Sequence, residues 1–361
     1  MRVLAAVDKF KGTASAADVA KAIGHACWEL GHDCDELALA DGGEGTLDIL
    51  GGANRESVVT GPLGDPVKTQ WRFHNGTAVI EMAQASGLSL VGGPTKNDAV
   101  SASTTGTGEL IDKALDLGAE RIIVCLGGSA TTDGGLGAVR AIHAPARLKA
   151  VEFLVACDVS TRFVDAAKVF GPQKGATPSQ VRLLTGRLER LVQMYRENCG
   201  VDVSQIEGGG AAGGLAGGLV ALGGKLIPGF DMVADELNLT DRIKNANLVI
   251  TGEGQLDHTS YEGKVVGGVI DNCRHFNTSV AAIVGSYEFD TELDNDFVRP
   301  KPLISLTEMF GNDKAMNEPL WCIEARNAAA AFNFYVAAIN RAQQAIADYQ
   351  GVPALEEALA I

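Results

Sequence analysis

The stretch Ile122–Gly137, IIVCLGGSATTDGGLG, decides how the rest of the chain is read. Ile122, Ile123, Val124, Cys125 and Leu126 form an unbroken apolar run rich in β-branched side chains. Such a run suits a short strand covered on both faces, as in a parallel sheet. Gly127 and Gly128 end it, and Ser129, Thr131, Thr132 and one carboxylate, Asp133, follow. In open α/β sheets, ligands bind beyond the carboxyl ends of the strands. Glycines and hydroxyls at such a point can turn backbone N–H groups toward an anion. A tight turn before a helix uses the same residue types, so this loop alone leaves both readings open.

Outward from it, the pattern recurs. Arg2–Val7 reads as a first strand, followed by DKFKGT, Asp8–Thr13. Ser15 caps a helix of about Ala16–Leu30, with Asp18 at the capping-box spacing. Leu37–Ala40 reads as a second strand running into ADGGEGT, which sets Asp41 and Glu44 among Gly42, Gly43 and Gly45 before a helix near Thr46. Val67–Phe73 and Thr77–Met82 alternate around Asn75-Gly76, a hairpin signal that opens a second domain. A helix over Gly106–Leu117 leads back to Ile122. Val151–Cys157 is the next strand and ends in Asp158, and FGPQKGAT, Phe170–Thr177, carries Lys174. Pro178–Asn198 reads as a solvated outer helix, and GGGAAGGLAGG, Gly208–Gly218, as the entry to a helix of small residues. Asn247–Thr251 is a buried strand that ends in GEGQLD, Gly252–Asp257, with Lys264 at a following helix start. Val280–Val284 is a late parallel strand, and Asn327–Gln350 an alanine-rich C-terminal helix.

Composition narrows the function. The 361 residues suffice for two α/β domains. The formal charge of −15 argues against nucleic acid as a main partner. The 44 glycines cluster without a period, which removes collagen-like and low-complexity readings. Seven cysteines without a CxxC suit reduced thiols in the cytoplasm. The N-terminal apolar run stops at Asp8-Lys9 and reads as a strand, not a signal peptide, and no run is long enough to span a membrane.

Five loops share one grammar of glycines with a carboxylate or a lysine: DKFKGT, ADGGEGT, GGSATTDGG, FGPQKGAT and TGEGQLD. Glycines allow close backbone approach, carboxylates hold a divalent metal or orient a hydroxyl, and lysines neutralise phosphate. Phosphoryl transfer needs those parts, since its catalysis is mostly positioning and charge stabilisation. There is no GxxxxGK[ST] and no GxSxG. Gly208-x-Gly210-x-x-Gly213 matches the dinucleotide fingerprint, but DVSQIE before it is a poor strand, so a nicotinamide-dependent dehydrogenase has little support.

In order along the chain, DKFKGT, ADGGEGT, GTGEL, GGSATTDGG, CDV, VFGPQKGA, GGGAAGGLAGGL and LVITGEGQLD resemble the bacterial glycerate kinase family from Val7 to about Ala331. The resemblance implies a discontinuous flavodoxin-like α/β domain with a parallel sheet, 1–57 plus about 235–361, and a second mixed α/β domain inserted at about 58–234. It also implies a kinase that moves the γ-phosphate of ATP, with Mg²⁺, to D-glycerate and forms 2-phosphoglycerate. Partners are then small molecules, with neither nucleic acid nor membrane, and a homodimer stays open. Asp133, Asp158, Asp257 and Lys11 are the catalytic candidates. Asp8, Lys9, Asp41, Gly42, Gly43, Glu44, Gly127, Gly128, Ser129, Lys174, Gly210, Gly213, Glu253 and Lys264 are the substrate and ATP candidates, with Asp41 and Asp158 also the magnesium candidates. Ala138–Ala156 is short against the family's usual segment, and Ser160–Phe163 departs from it. Those departures set the alternative, a non-catalytic or altered-substrate relative.

Overall fold

Val3-Leu4-Ala5-Ala6-Val7 is buried throughout, and a parallel sheet forms around it. The computed structural model describes residues 1–261, 263–288, 300 and 302–324. Its strands in chain order are β1 (Arg2–Val7), β2 (Asp33–Ala38), β3 (Arg55–Thr60), β4 (Pro66–His74), β5 (Thr77–Glu81) and β6 (Arg121–Cys125). Then follow β7 (Glu152–Ala156), β8 (Lys225–Ile227), β9 (Leu248–Leu256), β10 (Ser279–Tyr287) and β11 (Leu303–Ser305). The helix expected at Asn327–Gln350 lies outside the described residues.

The chain divides into two compact units, Met1–Leu39 with the chain from Leu239 onward, and Ala40–Asn238. The borders thus differ from the expected 57/58 and 234/235. The first moves because the Asp41 loop is tied to β5, where Glu81 receives the N–H groups of Gly45 and Leu47.

In the first unit the sheet order is β2-β1-β9-β10-β11, and every pairing is parallel. Numbered within the unit this is 2-1-3-4-5, the flavodoxin-like order, whose direction of winding reverses between β1 and β9. Val3, Val7, Val19, Ile23, Ile250 and Ile283 pack in one core below it. Helix Ala16–Glu29 starts where Ser15 Oγ accepts the Asp18 N–H. Two strands run longer than expected. β2 begins at Asp33, because an edge strand leaves Asp33, Asp35 and Glu36 partly in solvent while its backbone pairs with β1. β9 continues through Gly252–Leu256, because Ile283, Val284, Ser286 and Tyr287 of β10 keep pairing with it. Glu253 therefore stands in a strand and not in a loop.

In the second unit the sheet order is β3-β4-β5-β6-β7-β8. β3–β4 and β4–β5 are antiparallel, and β5 through β8 are parallel. The central β6 is flanked by β5 and β7, and Ile122, Ile123 and Val124 are fully buried, as their unbroken apolar run requires. The β4–β5 turn has positive φ at Asn75 and Gly76, the backbone that a two-residue hairpin loop of this kind demands. Edge strands β3 and β8 carry no clean alternation and were not expected. Helix Pro178–Cys199 buries Leu184, Leu188, Leu191, Val192 and Tyr195, so it is more than a solvated face.

The short crossover from β6 to β7 still delivers its strand. Helix Leu136–Ala141 gives way to a single 3₁₀ stretch, Pro145–Ala150. His143 Nδ1 meets Asp112 Oδ2 at 2.6 Å, and Arg147 Nη1 meets Asp116 Oδ1 at 2.8 Å, which tie the connection to helix Thr105–Asp116. β7 then lies parallel to β6 in continuous register from Arg121↔Glu152 to Cys125↔Ala156. Asp158 emerges just past its carboxyl end.

Candidate active site

The functional side chains fall into two groups, one in each unit. In the first unit they sit at the carboxyl ends of β1 and β9, the topological switch point where doubly wound sheets bind ligands. Asp8 is nearly buried, and its Oδ1 accepts the Lys9 N–H at 2.7 Å. Burial pushes Glu253 up to about 7, helped by the nearby charges of Asp8 and Asp257 and opposed by a Ser260 hydrogen bond and Lys264. Its Oε1 is buried with no hydrogen-bond partner. Asp257 behaves in the opposite way. Burial works against its charge, yet the Thr259 hydroxyl and amide, Lys264 and His258 hold it below the usual carboxylate range. The Thr259 N–H and hydroxyl donate to Asp257 Oδ1 at 2.8 and 2.7 Å, while Lys264 Nζ donates to the same hydroxyl at 2.7 Å. Lys264 is the residue just before helix Val265–His275. Lys11 is exposed, and its backbone passes close over Gly254.

In the second unit the group gathers at the carboxyl ends of β5, β6 and β7. The Asp41 loop rests on the start of helix Gly229–Glu236 with no room for a side chain between them. A Cβ on Gly42 would lie 2.4 Å from Gly229 Cα, and one on Gly229 would lie 2.0 Å from the Asp41 carbonyl oxygen. The Gly229 N–H donates to Asp158 Oδ1 at 2.7 Å. This packing brings Asp41 and Asp158 together. Burial, with the Asp41 charge adding, pushes Asp158 up to about 7 although the Gly229 amide opposes it. The Asp41 loop also packs against Gly127 and Gly128, with Gly43 and Glu44 their neighbours. Beneath it lies Glu81, 3% exposed, whose Oε1 takes the N–H groups of Gly45 and Leu47 at 2.9 and 2.7 Å. Burial raises its pKa.

The central loop is held from inside. Asp133 Oδ2 accepts from the Thr104 N–H, the Thr104 hydroxyl, the Gly137 N–H and, at 3.5 Å, the Ser103 hydroxyl, while Oδ1 takes the Gly135 N–H. Lys174 is 2% exposed, and Nζ donates to Ser129 Oγ and to the Thr131 carbonyl, both at 2.7 Å. Burial pushes its amine down to about 7, against the pull of Asp133. Gly213 fits against the Thr131 carbonyl, and the Gly210 N–H donates to the Thr161 carbonyl, so both glycines serve close packing.

A sequence model of the "Glycerate kinase family" matches residues 3–145 and 142–316. The chain belongs to the glycerate kinase family. It is 38% identical over 346 residues to a glycerate kinase of Haemophilus influenzae, covering 84% of this chain and 91% of that one. It is 38% identical over 330 residues to the Escherichia coli K12 glycerate 2-kinase, covering 80% and 86%. A crystal structure from Salmonella typhimurium LT2, provisionally assigned as a glycerate kinase 2, aligns with TM-score 0.75 at 34% identity, over 92% of this chain and 98% of that one.

The chain is thus a kinase of the glycerate kinase family with a two-domain α/β fold. The family match breaks at residues 142–145, within the short crossover. Sequence reasoning missed Glu81, which like Asp158 closes an apolar strand with no glycines beside it. It also missed Asn97, whose Nδ2 donates to the carbonyls of Ala130 and Lys174. No helix of the described residues is long and apolar enough to cross a membrane. None of the seven cysteines is bridged.

Proposed function

We propose that this family member phosphorylates D-glycerate with ATP and forms 2-phosphoglycerate, in the cytoplasm. The observation that carries the reading is the gathering of acidic, basic and glycine residues at the carboxyl ends of parallel strands in each unit. Phosphoryl transfer asks for little more than that positioning and charge.

Asp41 and Asp158 suit magnesium. Their donors are all oxygen, and the Asp41 charge adds to the cost of charging Asp158, which a dication relieves. No group of three or more His, Cys, Asp or Glu is arranged for a metal among the described residues, so phosphate oxygens would complete the shell. When bound, the ion supplies neutralisation of the phosphate charge. Within the first unit, Glu253 is the candidate base for the glycerate hydroxyl. Its buried Oε1 has no partner, and its affinity for a proton lies near neutrality. Asp257 is a poor base because its hydrogen bonds favour the charge, and Asp133 is occupied in holding its loop. Lys9, Lys11 and Lys264 balance phosphate or carboxylate charge.

The test is an ADP-release assay with Mg²⁺, ATP and D-glycerate, with the product resolved by NMR. Turnover to 2-phosphoglycerate supports the reading. Turnover to the 3-phosphate corrects the product, and no turnover by the folded chain refutes it.

A further inference from the structure

Lys174 is the buried group that the proposed reaction leaves unused. A buried cation costs several kcal/mol unless it is paired, and among the described residues Nζ bonds a hydroxyl and a backbone carbonyl, with no ion pair to a carboxylate. What an ammonium adds is direction. While Lys174 is protonated, Ser129 Oγ at 2.7 Å acts as acceptor toward Nζ, so its own proton points elsewhere. Gly128 accepts the Leu88 N–H, and the Ala130 N–H donates to the Ser86 carbonyl, which fixes the chain on both sides of Ser129. Ser129 retains 8% exposure, at the end of β6 beside the Asp41 loop.

We propose that Lys174 is a positioning residue that turns the Ser129 hydroxyl into a dedicated donor for an anionic oxygen of the bound substrate. This rests on the kinase reading above. The oxygen belongs either to a phosphate of ATP or to the carboxylate of the acceptor, which share the same chemistry. Lys174 itself touches neither.

The experiment compares the native chain, Lys174→Met, Ser129→Ala and the double variant. Each single variant should lower kcat/KM about thirtyfold, the size of a lost hydrogen bond to a charged group. The loss should appear in the KM of one substrate, with kcat changed less than about threefold. A rise in the KM for ATP assigns the oxygen to phosphate, and a rise in that for glycerate assigns it to the carboxylate. The double variant should match Ser129→Ala within about twofold, because Lys174 acts only through that hydroxyl. Native kinetics in Lys174→Met overturn the proposal, as does a further tenfold loss in the double variant or an equal fall of kcat with both KM values. Thermal melts of all four chains separate misfolding from mispositioning. If the native chain turns over no glycerate, the kinase reading fails by itself, and the probe becomes inorganic pyrophosphate. The proposal then predicts that pyrophosphate raises the native melting temperature and that both single variants lose the rise. A rise that survives in Lys174→Met, or no rise in the native chain, overturns it.

Discussion

Replacing Glu81 by alanine and by glutamine separates what its shape does from what its charge does. In the native fold, Oε1 takes the N–H groups of Gly45 and Leu47 at 2.9 and 2.7 Å from a site only 3% exposed. Alanine leaves two N–H groups without an acceptor, each costing about 1–3 kcal/mol when buried. The lost methylenes add a small cavity term. Glu81→Ala should therefore destabilise the second unit by about 3–5 kcal/mol. Glutamine keeps a carbonyl oxygen in the same place and removes a charge that burial disfavours. The weaker hydrogen bonds and the relieved desolvation oppose each other, so Glu81→Gln should stay within about 1 kcal/mol of native. Urea unfolding reads both. Trp71 reports on this unit, since it is buried and its Nε1–H donates to Ser57 Oγ. In the kinase assay Glu81→Ala should also raise the magnesium needed for half-activation, because the same loop carries Asp41. Equal destabilisation by Ala and Gln would refute the argument. So would a loss under about 0.5 kcal/mol for Ala.

Other predictions follow from the same contacts. Gly213→Ala sets a Cβ 2.0 Å from the Thr131 carbonyl at a φ of +69°, and should cost about 3–5 kcal/mol in urea unfolding. Glu253 binds its proton more tightly when folded, so its contribution is full below the ordinary glutamate value and is lost as pH rises toward about 7. Native stability should accordingly fall by about 3 kcal/mol between pH 4.5 and 7 through this group, on top of a like share from Asp158, and Glu253→Gln, measured by melts across that range, should remove about half of the total fall while abolishing most turnover. Asp41→Asn and Asp158→Asn should lower kcat about a hundredfold with little change in melting temperature. Asp133→Asn should lower both, because it sets an NH₂ donor against N–H groups that in the native chain donate to a carboxylate oxygen; a fully stable Asp133→Asn would sink that distinction.

Much of this was legible before the structure. The apolar run at Ile122 specified a covered strand, Ser15 specified a helix start, and Asn75-Gly76 specified a hairpin, because each signal is local and steric. Signals that depend on partners were not legible. Gly252 reads as a strand end, yet β10 keeps pairing with β9 past it. Asp33, Asp35 and Glu36 fell outside the strand read at Leu37–Ala40, yet an edge position lets them form β2. A lysine reads as exposed, and only the packed loop reveals that Lys174 is enclosed. Among the site candidates, the residue types and loops were visible in the sequence. The division of work between Asp133, which holds a loop, and Asp158, which carries a raised proton affinity, comes from hydrogen bonds that no spacing encodes.

The acidic edge of the first sheet has a consequence for self-association. β2 is a terminal strand, and a bare terminal strand is a template on which another chain can extend the sheet. Here Asp33, Asp35 and Glu36 line it, and Arg242 clasps both oxygens of Asp35 at 2.7 and 2.9 Å. Two copies of β2 brought side by side would set like charges against each other in a molecule already carrying −15. Among the described residues, the charges on this margin thus disfavour pairing of two β2 edges.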